Sequence, residues 1–306
     1  MLQERQRLLL CLLNALDGEV SQTDFQKLLF LYTREFQSEP SYDFVPYKFG
    51  GFSFTSYADK GRLIDHGYLE ADEAAWRLTA AGRARAKPDH PTAVALHKFC
   101  RTYSKLRGEA LLKHVYARFS YYATRSEVAG QIIQDADTLA RIRQSTPQKR
   151  TPGLLTIGYE GKTLETFLNQ LLRESVTMLC DVRRNPISRK FGFSKSTLSS
   201  ACEKIDIRYE HVPELGIASG ERQELHTQAD YDALFDEYER TQLPKQTAAL
   251  SKLIGWLKEG HRMALTCFEL DPQQCHRHCV AEALAARIGK SLTVRHLEEA
   301  CPANAY

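Results

Sequence analysis

Apolar residues recur at helical spacing through the first half of the chain and gather into short continuous runs in the second. Gln3–Leu16 reads as a first helix that closes near Asp17-Gly18. Ser21 or Thr23 can cap a second, Asp24–Phe36, whose Phe25, Leu28, Leu29, Tyr32 and Phe36 share one face. Glu39-Pro40-Ser41 ends it. Residues 42–54 alternate aromatic and polar side chains around Gly50-Gly51, which predicts an extended stretch with a turn, and a third helix follows over residues 53–66. Residues 67–84 then read strand, turn, strand, helix. A helix running into such a hairpin is the pattern of a winged helix: the hairpin is the wing and the preceding helix the candidate groove reader. Residues 96–122 and 126–142 predict further helices.

From residue 154 the pattern changes. Leu154–Gly158 is an apolar run stopped by glycine, Leu164–Arg173 is amphipathic, and Thr177–Val182 is a second apolar run. Strand, helix and strand within about 30 residues make a βαβ unit and hence a parallel sheet. Further strands are expected at 208–212, 263–267 and 292–296, and helices at 195–204, 230–240, 245–259 and 275–288. The fold class is therefore an α/β C-terminal domain, its parallel or mostly parallel sheet flanked by helices, preceded by a mainly α, winged-helix-like N-terminal domain. The expected boundaries are 1–142 for the helical domain, 143–153 for a basic linker punctuated by Pro and Gly, and 154–306 for the α/β domain.

Composition narrows the class. At 306 residues the chain suits two domains, and no apolar run approaches the ~18 residues of a membrane span. No export signal is expected, so a cytoplasmic protein with reduced thiols is. The eight cysteines have no disulfide-framework spacing. Cys11, Cys100, Cys180 and Cys202 sit among apolar neighbours and read as small core residues. Residues 1–150 carry 22 Lys+Arg against 17 Asp+Glu and residues 151–306 carry 19 against 21, a modest basic bias in the first half. Lys60, Arg62, Arg83 and Arg85 are the candidate phosphate contacts there, although solvated surface charges explain them equally well.

In parallel sheets ligands bind beyond the carboxyl ends of the strands. Ionisable residues collect at four such ends: Tyr159 and Glu160, Asp181 with Arg183 and Arg184, His211 with Glu214, and Cys267 with Glu269. Asp271-Pro272 predicts a helix start that puts Cys275 in its first turn, where the helix dipole and nearby His276 and Arg277 would lower the thiol pKa. Simple packing of Cys275 under the loop, with Arg277 pairing to Asp181 or Glu269, is the competing reading. Zinc fits less well, since Cys267, Cys275 and Cys279 with His276 and His278 match no standard finger or ribbon spacing, and no metal or cofactor is expected. The loop from Asp181 to Lys195 is rich in donors: Arg183, Arg184, Ser188, Arg189, Ser194 and Lys195. Ser194 is placed to cap the next helix, the donors to hold an anion such as phosphate, and Phe191 and Phe193 to stack on a base.

Two resemblances follow from these residues. Lys27-Leu-Leu-Phe-Leu, Tyr47–Ser53 and Leu63–Leu69 resemble, over about the first 130 residues, a prokaryotic family related to the Panacea antitoxin-type domain, with Gly51 in place of a proline; this implies a regulatory or interaction role. Thr156–Gly161, Asp181–Arg189, Phe193-Ser-Lys195, Tyr209–Gly216 and the Cys267-x-Glu269-x-Asp-Pro-x-x-Cys275-His-Arg277 run resemble, in order, the blocks of the domain of unknown function 488 family over residues 153–297. The second resemblance implies an α/β fold and a shared site, with no settled activity.

The expected function is an enzyme, a hydrolase, glycosidase or transferase acting on a nucleotide or nucleic acid, DNA more than RNA, in phage defence or DNA modification. Glu160, Asp181, Glu269 and Cys275 are its candidate catalytic groups. Tyr159, Arg183, Arg184, Arg189, Ser194, Lys195, His211, His276 and Arg277 are candidate substrate or phosphate contacts. A thiol enzyme on a small molecule and a non-enzymatic regulator sensing a small anionic ligand are the alternatives. A protein partner for the N-terminal half and a homo-oligomer are both compatible with the sequence; a membrane is not.

Overall fold

In the computed structural model, which describes residues 2–221, 225–289 and 292–297, the first helix α1 (Glu4–Ala15) buries an unbroken run from Leu8 to Leu13. Strand β1 (Glu19–Ser21) leads into α2 (Gln22–Phe36), which Ser21 caps by accepting a hydrogen bond from the Asp24 N–H at 3.2 Å. Helix α2 is buried on nearly every side, with Phe25, Leu28, Leu29, Phe30, Leu31 and Tyr32 all inside. It is the core helix of a mostly helical unit. An antiparallel hairpin, β2 (Val45–Tyr47) and β3 (Gly50–Phe52), precedes α3 (Phe54–Asp65). Strand β4 (Ala75–Arg77) returns antiparallel to β1, with Val20 opposite Trp76, and Leu69 bridges Leu78 at the base of the turn between them. Helix α4 (Ala80–Arg85) closes this segment.

The remainder of the unit departs from the expected long helices. Residues 96–122 form α5 (His90–Tyr103), α6 (Gly108–Arg118) and a 3-10 turn, because Gly108 adopts φ +56° and donates its N–H to the Asp24 carboxylate at 2.8 Å. Residues 126–142 likewise divide into α7 (Ala129–Ile132) and α8 (Ala136–Ser145), where Asp135 starts a new helix by accepting from the Thr138 N–H at 2.8 Å. The chain divides into two compact units after Thr146.

The C-terminal unit contains β5 (Gly153–Gly158), α9 (Leu164–Arg173), β6 (Met178–Asp181), α10 (Lys195–Glu203), β7 (Arg208–His211), α11 (Gln228–Glu237), α12 (Thr247–Lys258), β8 (Arg262–Cys267), α13 (Arg277–Ile288) and β9 (Val294–Leu297). The five strands form one fully parallel sheet in the order β7-β6-β8-β5-β9. Helices cover it, which is why β5, β6 and β8 read as continuous apolar runs rather than alternating ones. Met178, Val182, Leu250, Leu253, Leu265, Val280 and Leu284 belong to its core. No described helix is long and apolar enough to cross a membrane.

One expected boundary moves with consequence. The segment after β8 makes a 3-10 turn at Pro272–Gln274, and α13 starts only at Arg277. Cys275 lies between them in extended conformation (φ −141°, ψ 125°), not in a first helical turn.

Candidate active site

Because all strands run the same way, the carboxyl ends of β5, β6 and β8 lie side by side. Tyr159, Arg183, Arg184, Asn185, Ile217, Cys267, Phe268, Glu269 and His276 line a cavity of about 230 Å³ at that edge. Close approach of two strand ends makes it: a Cβ on Gly158 would lie 1.8 Å from the Glu269 carbonyl oxygen, so only glycine lets the Glu269 loop settle against β5.

One wall is a buried polar chain. Arg183 donates from Nε to Asp181 Oδ1 at 2.8 Å and from Nη2 to Oδ2 at 2.6 Å, and its Nη1 donates to the Tyr159 hydroxyl at 2.9 Å. Tyr209 donates to Asp181 Oδ2 at 2.6 Å, and burial, followed by the Asp181 charge, pushes its phenol pKa up. Asp181 is fully buried and Arg183 6% exposed, so neither charge is free to wander. Tyr159 stacks on Phe193 with ring centres 4.3 Å apart and meets Phe268 edge-on. Phe193 is completely buried in that stack, against the expectation that it meets a base.

Another part of the lining carries Cys267, Glu269 and His276. Cys267 Sγ donates to Glu269 Oε2 at 3.4 Å and lies 3.9 Å from His276 Nδ1, while His276 Nε2 contacts the Val182 carbonyl at 3.1 Å. Glu269 is 9% exposed, where the cavity reaches it. Cys275 is fully buried behind this row, and burial, then the neighbouring Cys267, pushes its thiol up to about 12. The expected low-pKa thiol at a helix start is thereby corrected: Cys275 lies outside the helix and away from solvent.

Arg277 is also fully buried, and it is an anchor. It donates to the Glu269 carbonyl at 2.6 Å, to the Leu270 carbonyl at 2.9 Å and to Thr156 Oγ1 at 3.3 Å, which pins the loop bearing Glu269. The same loop is held from outside by exposed Glu160, whose carboxylate accepts from the Leu270 N–H at 3.0 Å. The expected pairing of Arg277 to a carboxylate is replaced by bonds to carbonyls.

The donor-rich loop spreads its residues. Arg184 and Arg189 are exposed, and Arg184 reaches the Pro213 carbonyl at 3.4 Å. Ser194 stands at the start of α10, yet its hydroxyl bonds back to Ser188 rather than capping the helix. Lys195 Nζ lies 3.3 Å from His211 Nδ1, and His211 Nε2 lies 2.9 Å from the Arg183 carbonyl. Glu214 is exposed in the following 3-10 turn.

Sequence reasoning passed over three residues. Lys162 is buried and donates to the Gly158 carbonyl at 2.9 Å; burial, then Arg277 and Lys190, lowers its pKa to about 8. Lys190 donates to the Tyr159 carbonyl at 3.2 Å. Tyr209 completes the Asp181 chain. Only Tyr209, which opens the Tyr209–Gly216 block of the sequence, left a usable signal.

In the N-terminal unit the four basic candidates divide. Lys60 is 3% exposed, its ammonium donating to Gln22 Oε1 and to the Asp72 and Ala75 carbonyls, so it faces inward rather than toward a phosphate. Arg62 pairs with Asp59 at 3.2 Å, and Arg83 reaches the Asp17 carbonyl at 3.3 Å. Arg85 is exposed and borders a surface pocket with Arg7 and Lys87.

A protein-family model described as "Domain of unknown function DUF488" matches residues 163–284, a shorter stretch than the 153–297 of the motif resemblance. It does not reach the N-terminal half, whose likeness to the Panacea-related family gains no support. No curated protein and no solved structure matches the chain.

Proposed function

Taking the match of residues 163–284 to the DUF488 model as the premise, we propose that the C-terminal unit is an enzyme that breaks or transfers a glycosidic-type bond in a nucleotide or nucleic acid. One observation carries the reading: a buried carboxylate, Glu269, and a rigidly held guanidinium, Arg183, line the same small cavity. Glu269 acts as the general acid or base, being the one carboxylate that lines the cavity among the described residues. Arg183, fixed by Asp181 and Tyr159, stabilises negative charge on the substrate without reorganising. Asp181 is a positioning residue, because both of its oxygens are committed to Arg183 and Tyr209. Glu160 and Arg277 position the Glu269 loop. Exposed Arg184, which lines the cavity, and exposed Arg189 are suited to phosphates. The cavity has room for a ring the size of a base or a pentose and little more.

The N-terminal unit is read as the targeting part. Its α3, the β1–β4 pairing and the Leu69–Leu78 bridge support reading it as winged-helix-like. The test is a turnover assay of the full chain on nucleosides, nucleotides and single- and double-stranded DNA, modified bases included, following free base and strand breaks. Turnover that Glu269→Gln abolishes supports the enzyme. DNA binding without turnover on any of these substrates replaces it with a regulator.

A further inference from the structure

Cys267, Cys275 and His276 lie with their two sulfurs and one ring nitrogen all within 4.8 Å of one another, and all three side chains are buried. Buried thiols meeting an imidazole nitrogen are the donor set of a thiophilic divalent cation. The spacing suits such an ion. With metal–sulfur bonds near 2.3 Å and metal–nitrogen bonds near 2.0 Å, tetrahedral ligand atoms stand about 3.5–3.8 Å apart. Cys267 Sγ and His276 Nδ1 are already 3.9 Å apart.

A second observation points the same way. The other ring nitrogen of His276, Nε2, lies 3.1 Å from the Val182 carbonyl, which can only accept a hydrogen bond. That contact places the ring proton on Nε2 and leaves the Nδ1 lone pair facing the sulfurs. A ligating histidine typically donates its remote N–H to a carbonyl or carboxylate in this manner. The chain supplies the three groups from two places, the end of β8 and the step into α13, where Cys275 is extended and His276 is the helix N-cap.

We propose that Cys267, Cys275 and His276 bind one zinc-like divalent ion, with its fourth position toward the cavity beside Glu269. Cys267 and Cys275 lose their protons on binding, so uptake releases protons to solvent. The inference does not rest on the glycosidic reading, because metal retention is measured without turnover.

The test uses the full chain, purified without chelator, loaded with Zn²⁺ or Co²⁺ and desalted. The expected result is about one equivalent of retained metal per chain. The cobalt form should show a thiolate-to-metal charge-transfer band and intense tetrahedral bands in the visible. Cys275→Ser and His276→Gln should weaken retention at least tenfold, while Cys202→Ser, a buried thiol elsewhere in the unit, should retain the wild-type spectrum. The wild-type cobalt spectrum decides the matter even if a ligand variant fails to fold. Desalted wild-type protein without stoichiometric metal, or a cobalt form without the thiolate band, overturns the site. Retained metal with no turnover on any nucleic-acid substrate keeps the site and removes the glycosidic reading.

Discussion

Arg183 grips both carboxylate oxygens of Asp181 through the Nε–Nη2 edge of its guanidinium although a single residue separates them in the chain. The strand ends at Asp181, and the turn after it folds the arginine back over the carboxylate. Both groups are nearly out of solvent, where removing one partner leaves the other's charge uncompensated. Asp181→Asn should therefore cost about 3–5 kcal/mol of stability. Arg183→Met added to Asp181→Asn should recover part of that loss. Urea unfolding of the two variants checks both statements; equal midpoints for the single and the double variant would contradict them.

Glu269→Gln keeps the shape of the side chain and removes its proton transfer. Under the proposed chemistry kcat should fall by about 10²–10⁴ with KM little changed. Steady-state rates on whichever substrate is turned over decide this, and a fall confined to KM would assign Glu269 to binding.

Gly158→Ala tests how the loop is seated. Its Cβ would meet backbone, the Glu269 carbonyl oxygen at 1.8 Å, which cannot swing aside as a side chain can. The expected cost is about 1–3 kcal/mol of stability from overpacking. Displacing the Glu269 carboxylate by about 1 Å should also cost up to about 10²-fold in rate. Thermal melts and rates measured together check the coupling.

Lys27 is 2% exposed inside the N-terminal unit, donating to the Gly51 carbonyl at 2.9 Å. Burial lowers its pKa from 10.5 to about 7, despite the opposing pull of Asp24. Between those two values the unfolded chain holds a proton that the folded chain does not. The Lys27 contribution to stability therefore rises as pH climbs from about 7 toward 10.5, and below 7 the folded unit carries the full cost of a buried charge. Lys27→Met should be the more stable protein at pH 6, and its advantage should shrink toward pH 10. Chemical unfolding across that range tests the sign.

Much of the edge where these residues meet is legible from the chain. Short apolar runs separated by amphipathic segments imply a parallel sheet, and a parallel sheet puts all its carboxyl ends on one side. Tyr159, Arg183, Cys267 and Glu269 consequently share an edge before any contact is known. What escapes is set by tertiary contacts that have no local signature. The Pro272 segment stops as a 3-10 turn while Arg277 anchors to the Glu269 and Leu270 carbonyls, and this shifts Cys275 from a helix start to an extended step. Lys60 and Lys162 have the composition of surface residues and become buried because backbone carbonyls on neighbouring segments await their ammonium groups. Phe193 lies among basic residues in sequence and under Tyr159 in space. Splits such as that between α7 and α8 depend on a single cap, Asp135, within an otherwise continuous helical pattern.

The sheet order has a temporal consequence. Strand β8 lies between β5 and β6, yet it is synthesised after both and after β7. A nascent chain that has emerged only as far as β7 has β5 and β6 without their common neighbour, and it lacks Cys267 and Glu269 altogether. Tyr159 and Arg183 acquire their shared cavity only when the last central strand threads into place. The proposed chemistry is thus withheld from any copy that has emerged only as far as β7.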